Sequence, residues 1–186
     1  MLAAGAARAE PKRYEIRPTE GSRLELRVYK TGFMRGKVHL FQFPQYSGTL
    51  VYDPQKPEAS EVRLSISAAA IQLMDTWLSA KDMKSVLEYA QKDMLAAGKF
   101  PEIAFASSQV RAAGAGFEVS GTLTIRGLGK PALINVTLNP GAPAELAVQG
   151  TAKVRLTHYG LKPPTAALGT IGTKDEMDFS VVLLVR

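Results

Sequence analysis

The sequence contains no cysteine among its 186 residues and only two histidines, His39 and His158. The absence of cysteine excludes a disulfide scaffold, a thiolate metal site and a cysteine nucleophile. Neither histidine has a second histidine or a carboxylate at metal-ligand spacing, so we expect no metal site. No apolar run approaches the roughly 20 residues that a membrane-spanning helix requires.

Sequence motifs for catalysis are also missing. The Gly-x-Ser-x-Gly turn that presents a nucleophilic serine is absent. Gly127-Leu128-Gly129 lacks the third glycine and the following helix of a phosphate-binding loop, so we interpret it as a hairpin turn. The carboxylate pair Asp175-Glu176 fits a solvated strand entry. The sequence therefore predicts a protein that is not an enzyme and needs no cofactor.

The net charge of +6 arises from 23 basic and 17 acidic residues. The basic residues are scattered and form neither a basic run nor an arginine-rich helix, so nucleic acid is not an expected partner. A mildly basic surface favours the approach of anionic lipid head groups. We therefore expect transient contact with a membrane.

Apolar residues make up 46% of the chain, which is long enough for one domain with its own core. They alternate with polar residues in segments such as Leu24–Val28, Val62–Ile66, Phe117–Ile125 and Leu146–Leu156, as in strands with one dry face. Turn-forming residues separate these segments and favour antiparallel hairpins. A sheet of about eight or more such strands must pack on a second sheet or close on itself, and the pattern alone leaves both open.

One segment follows a helical period instead. Apolar residues recur at helical spacing within Lys81–Ala97. Ser79 and Asp82 fit a capping box at its start, and Gly98 fits its end. The sequence therefore predicts one amphipathic helix within a β domain.

Residues Met1–Ala9 are mostly alanine, glycine and leucine and end in Ala7-Arg8-Ala9. This pattern fits the small-residue cleavage rule of a secretory signal peptide. We expect the remnant of a signal peptide at 1–9, followed by a single domain at 13–186. The alternative is an N-terminus that is rich in alanine by chance.

Two alternating segments carry a resemblance to a known family. Lys99–Ser108 reads Lys-Phe-Pro-Glu-Ile-Ala-Phe-Ala-Ser-Ser, and Val119–Gly127 reads Val-Ser-Gly-Thr-Leu-Thr-Ile-Arg-Gly. Together they resemble the paired signature of the YceI-like family of periplasmic polyisoprenoid-binding proteins. Gly127–Pro131 and His158–Leu161 continue the resemblance in the family's order, whereas Arg17-Pro18 and Gly21-Ser22 depart from its N-terminal pattern.

The resemblance implies a mainly β fold, a single antiparallel lipocalin-like β-barrel with a helical insertion near its mouth. It implies a bacterial protein of the periplasm or the secreted fraction. The expected function is non-catalytic binding or transport of a polyisoprenoid lipid, either an isoprenoid quinone or a polyprenyl phosphate. The rival hypothesis is a structural or protein-interaction barrel with a filled core and no lipid. Homodimerisation is left open.

Combined with the alternation, the resemblance predicts which side chains surround the lumen. Four polar residues are candidates for contact with a ligand head group: Lys81, Arg126, Lys130 and His158. His39 has the opposite parity to Val38 and Leu40 and is expected outside. The predicted apolar wall of the lumen consists of Leu24, Leu26, Val28, Phe33, Val38, Leu40, Ile103, Phe105, Phe117, Val119, Leu123, Ile125, Leu146, Val148, Val154, Phe179 and Val181.

Overall fold

The computed structural model describes residues 10–140 and 145–186, so the predicted signal-peptide remnant at 1–9 lies outside the described residues. The described part is mainly β. Its strands are β1 (Lys12–Ile16), β2 (Arg23–Gly32), β3 (Val38–Gln42), β4 (Tyr46–Tyr52), β5 (Glu61–Ser67), β6 (Gln72–Leu73), β7 (Glu102–Ala113), β8 (Gly116–Ile125), β9 (Leu128–Pro140), β10 (Leu146–Arg155), β11 (Thr165–Ala166), β12 (Ile171–Thr173) and β13 (Glu176–Val185).

The strands form one antiparallel sheet, in the order β1-β4-β5-β7-β8-β9-β10-β13-β2, which closes into a β-barrel. β2 also pairs with β3 and, through its last residues, with β12. Closure brings β1, at one end of this order, against the end of β13, where the Glu15 N–H donates to the Arg186 carbonyl at 3.1 Å. The predicted mainly β barrel is therefore confirmed, and closure leaves one inner and one outer face.

The inner face is dry because the strands alternate as the sequence predicts. In β10, Leu146, Val148 and Val154 are buried, whereas Gln149 and Lys153, which have the opposite parity, are exposed. Large apolar residues from nearly every strand join one buried cluster. The hairpin turn predicted at Gly127-Leu128-Gly129 lies one residue earlier in the structure. Arg126 and Gly127, with φ of 53° and 73°, form the two-residue turn between β8 and β9.

The predicted helix lies between β6 and β7. Helix α1 (Ala80–Tyr89) continues through a π-helical turn at Ala90–Met94. Ser79 caps its start, since its hydroxyl oxygen accepts from the Asp82 N–H at 3.1 Å. The helical turns end before the predicted stop at Gly98, and Ala96 rather than Gly98 adopts a positive φ, of 48°. No helix of the described segments is long and apolar enough to cross a bilayer.

A hydrogen bond from the Tyr29 hydroxyl to the Asp178 carboxylate joins β2 to β13. This hydrogen bond and the neighbouring Lys153 ammonium hold the pKa of Asp178 below its usual 3.8. A carboxylate whose pKa is lower in the folded state stabilises the fold above its unfolded pKa, and that contribution disappears as the pH falls through the folded pKa.

We therefore expect Asp178→Asn to destabilise the protein at neutral pH by roughly 0.5 kcal/mol, a small value because the carboxylate is partly exposed. The difference from wild type should shrink as the pH falls below 3.8. Thermal unfolding across an acid titration measures both effects. Glu58→Gln, on an exposed turn, is the control, and an unchanged gap between wild type and Asp178→Asn at acid pH would contradict the assignment.

Candidate functional site

The barrel encloses a cavity of about 510 Å³. Its wall is almost entirely apolar and is built from the inward-facing residues of the strands. Residues of α1 and the turn after it, including Val86, Tyr89 and Met94, complete the wall on the helix side. This volume falls within the range of small-molecule pockets, so the barrel interior is open rather than filled.

The helix is fastened over the cavity at two points. The Arg126 guanidinium donates to the Asp93 and Met94 carbonyls at 3.2 and 3.4 Å, at the end of the helical segment. The Gln91 amide donates to the Ala69 carbonyl at 2.9 Å. A cation among the last carbonyls of a helix is favourable. Five of residues 161–173 also line the cavity: Leu161, Pro164, Thr165, Ala166 and Thr173. Thr165 and Ala166, like Ser85 and Tyr89 of α1, are exposed as well as cavity-lining, so we infer that the mouth lies between these two segments.

Most residues of the predicted lumen wall face this cavity. Whether they contact a ligand stays a prediction. The twelve that line the cavity are Leu26, Val28, Ile103, Phe105, Phe117, Val119, Leu123, Ile125, Val148, Val154, Phe179 and Val181.

Five predicted wall residues lie elsewhere. Phe33 is 86% exposed, because it sits in the turn after β2 rather than within the strand. Val38 and Leu40 have the wrong parity, since in β3 it is His39 and Phe41 that line the cavity. Leu24 and Leu146 are buried in the apolar core but do not border the cavity.

None of the four predicted head-group residues lines the cavity. Lys81 is exposed in the first turn of α1, and His158 is exposed in the turn after β10. Arg126 is occupied by the carbonyls that it fastens to the barrel. Lys130 pairs with Leu123 at the end of β9, where it is half-buried beside the wall. The four residues therefore lie off the cavity wall, and whether any of them contacts a ligand head group at the mouth stays a prediction.

Two polar residues that the sequence did not nominate as head-group contacts line the cavity instead. Lys30 has the same parity in β2 as Leu26 and Val28, and it lines the cavity with them. His39 pairs with Val28 across the β2–β3 hairpin and therefore shares its inward face. Extending the alternation of β2 by one step, and pairing β3 with it, would have found both residues.

Lys30 is half-buried in this apolar wall. No carboxylate or other hydrogen-bond partner reaches its ammonium from residues 10–140 or 145–186. Burial lowers the pKa of Lys30 below its usual 10.5, because desolvation penalises the charged form. A desolvated cation without a counter-ion, facing a cavity, is suited to an anionic or carbonyl oxygen from a ligand.

His39 is held in a fixed orientation. Its Nδ1 lies 2.6 Å from Oδ2 of Asp75, whose side chain is fully buried, and Oδ1 of Asp75 accepts from the Leu40 N–H at 2.9 Å. The ring stacks on Trp77 with centroids 5.2 Å apart. The carboxylate orients the ring, the residue lines the cavity, and no hydrogen bond within the described residues engages Nε2.

The site is chemically suited to hold a long apolar molecule with one polar end. The buried Tyr159 hydroxyl, whose pKa is raised by burial, is already engaged with the Leu123 carbonyl at 3.2 Å. Among the described residues no three metal-ligating side chains cluster. The His39–Asp75 pair has no serine or other nucleophile hydrogen-bonded to it in this part of the chain.

Comparison with known proteins agrees with the barrel fold. A family model described as the YceI-like domain matches residues 14–183. The chain belongs to the YceI-like family. This YceI-like protein is 30% identical over 128 residues to a UPF0312 protein of Pseudomonas syringae pv. syringae (strain B728a), an alignment that covers 66% of this chain and 63% of the relative. The chain thus spans less than two thirds of the length of that relative.

Solved structures share the fold of this YceI-like protein. The crystal structure of Burkholderia cenocepacia BcnA superposes with a TM-score of 0.67 at 20% identity, over 87% of this chain and 95% of BcnA. A polyisoprenoid binding domain from Saccharophagus degradans, implicated in plant cell wall breakdown, superposes with a TM-score of 0.60 at 12% identity, over 95% and 99%. At these identities the likeness shows the fold alone.

Proposed function

We propose that this YceI-like protein binds a polyisoprenoid lipid in the barrel cavity, with the tail in the apolar interior and the polar head beside Lys30 and His39. The observation that carries the proposal is an open apolar cavity whose wall contains a half-buried, unpaired ammonium. The solved Saccharophagus degradans relative, a polyisoprenoid binding domain, supports this choice of ligand class. The protein acts as a carrier or store and performs no reaction on the lipid.

The tail supplies the affinity. Each buried methylene contributes about 0.8 kcal/mol, so a five-carbon isoprene unit contributes roughly 4 kcal/mol before the cost of ordering it. Affinity should therefore rise with each isoprene unit until the cavity is full, and then level off. Because the tail otherwise resides in a membrane, the net free energy of transfer is much smaller than the gross value, as a carrier requires.

The head group distinguishes the two ligand types. A phosphate forms an ion pair with the Lys30 ammonium and a hydrogen bond with Nε2 of His39. A quinone offers only neutral carbonyl oxygens, which bind a cation more weakly. We therefore propose a polyprenyl phosphate as the preferred ligand and an isoprenoid quinone as a weaker one. Export to the periplasm or beyond is part of the proposal and is supported by the composition of residues 1–9.

Lys30→Met tests the assignment of the head-group site. We expect it to weaken binding of a polyprenyl phosphate about tenfold or more, as for the loss of a hydrogen bond to a charged group, and to leave the matching polyprenol unaffected. Wild-type affinity for the phosphate should fall as the pH rises through the lowered pKa of Lys30, below 10.5. Calorimetric titration of both lipids into detergent-solubilised protein measures each effect.

Lys81→Met, at an exposed lysine outside the cavity, is the matched control. The ligand-free Lys30→Met protein should unfold at or above the wild-type temperature, since the substitution removes a desolvated charge. Equal losses for phosphate and polyprenol would show that Lys30→Met damages the cavity and does not remove a head-group contact.

A further inference from the structure

Two large apolar side chains project from one side of the cavity mouth. Phe33 is 86% exposed and Leu168 is fully exposed, and no other large apolar residue of the described segments exceeds half exposure. Both lie in connections that also border the mouth, since Lys30 precedes Phe33 and the cavity-lining Thr165 and Ala166 precede Leu168. We call the surface formed by residues 30–38 and 160–174 the tip.

A backbone hydrogen bond joins the two segments that carry these side chains. The Phe33 N–H donates to the Thr170 carbonyl at 3.1 Å, two residues from Leu168 along the chain. Gly32, with φ of 65°, allows this approach, because a Cβ there would lie 2.0 Å from the Thr170 carbonyl oxygen. The two segments of the tip are therefore joined through their backbones and do not form independent loops.

The backbone that carries Leu168 is conformationally strained. Ala167 and Leu168 have φ of 49° and 56°, in the left-handed region that side chains other than glycine disfavour. Leu168 gains no burial in return. A strained backbone that keeps a leucine in solvent makes Leu168 a candidate for contact with a partner surface.

The charge of the tip identifies the kind of partner surface. Lys30, Arg35 and Lys37 lie in residues 30–38, and Lys162 and Lys174 lie in residues 160–174; neither segment contains an aspartate or a glutamate. The next carboxylates along the chain are engaged: Asp175 accepts from Thr157, Glu176 accepts from Lys153 and Arg155, and Asp178 accepts from Tyr29 and Lys153. Cations surrounding two protruding apolar side chains complement a surface that is anionic outside and apolar beneath.

We propose that the tip docks on a bilayer containing anionic lipids, with Phe33 and Leu168 entering the head-group region. Docking in this way brings the cavity mouth against the membrane, because the same two connections line it. A polyisoprenoid tail then passes between bilayer and barrel with little exposure to water. This assigns the membrane contact to a specific surface, and it does not depend on which lipid the cavity holds.

Vesicle flotation tests the proposal with the full chain. Wild-type protein should float with vesicles of phosphatidylcholine and phosphatidylglycerol and much less with phosphatidylcholine alone, and added salt should weaken its binding. Phe33→Ser combined with Leu168→Gly should reduce the partition coefficient about tenfold or more. Arg35→Gln combined with Lys162→Gln should reduce it about fivefold per cation.

Matched controls lie on other surfaces of the barrel. Leu133→Ser removes an exposed leucine from the outer side of β9, and Lys56→Gln combined with Arg63→Gln removes two exposed cations. The controls should float like wild type. Absence of cysteine also permits a single probe, so a polarity-sensitive dye on Phe33→Cys should report an apolar environment with anionic vesicles, whereas the dye on Leu133→Cys should not.

The outcomes separate this proposal from the proposed function. If wild type does not float, or if the tip variants float as well as the controls, the docking proposal is overturned. Lipid delivered in detergent should bind the tip variants with wild-type affinity, whereas their uptake of lipid from vesicles should be slower. Vesicle docking without any lipid in the cavity would retain the docking surface and reject the proposed function.

Discussion

Ala152→Phe is expected to weaken polyisoprenoid binding about a hundredfold while leaving the barrel folded. Ala152 lies on the inner side of β10, between Phe179 of β13 and Ile134 of β9, and all three residues line the cavity. A phenyl ring at this position projects into space that the proposed tail occupies. Excluding about four methylenes at about 0.8 kcal/mol each removes about 3 kcal/mol, which is a loss of affinity of about a hundredfold.

Ala147→Phe provides the matched control on the same strand. Ala147 has the opposite parity, faces the outer side of β10 and does not line the cavity. Both variants should unfold within a few degrees of wild type, and only Ala152→Phe should lose affinity in a titration with a polyprenyl phosphate. Equal affinity for the two variants would show that the lipid binds elsewhere.

Gly121→Ala is expected to destabilise the fold strongly. Gly121 is buried in β8 opposite Ser107, where β7 contains a bulge and the pairing resumes at Gln109 and Ser120. A Cβ at this glycine would lie 2.3 Å from the Ala106 carbonyl oxygen and 2.7 Å from Cζ of Phe105. The backbone oxygen cannot move without disturbing the β7–β8 pairing, so relief is costly.

We expect Gly121→Ala to destabilise the fold by about 3 kcal/mol, near the upper end for overpacking. For a chain of this size that corresponds to a fall in the unfolding temperature of roughly 10 °C. Gly98→Ala is the control, because a Cβ at Gly98 meets nothing within 4 Å. Equal unfolding temperatures for the two variants in calorimetry would contradict the prediction. They would mean that the backbone at the bulge shifts to accommodate the Cβ at little cost.

Alternation along the strands predicted much of the fold because one face of each strand is buried against the interior. The family signature in β7 and β8 then selected closure into a barrel, which periodicity alone left open. The capping residues and the helical spacing predicted the helix, but its predicted end at Gly98 was wrong, because the helical turns end at Met94. Ala96 rather than the nearby Gly98 carries the positive φ, a tertiary choice that propensity does not encode.

The polar end of the cavity was not predictable from residue type. Val38 and Leu40 are more apolar than His39, but the hairpin register with β2 sets the parity of β3. His39 is accommodated inside because Asp75, far along the chain, accepts from its ring. Arg126 was nominated from its place in the signature, and only the structure shows that it fastens the helical segment.

Native mass spectrometry of the full chain recovered from a bacterial host under gentle conditions tests the central claim most directly. The account predicts a complex heavier than the polypeptide by one apolar compound, which fragments with the repeat of an isoprene unit and which Ala152→Phe fails to retain. Recovery of the polypeptide alone, even after incubation with excess polyprenyl phosphate and with isoprenoid quinone, would contradict it.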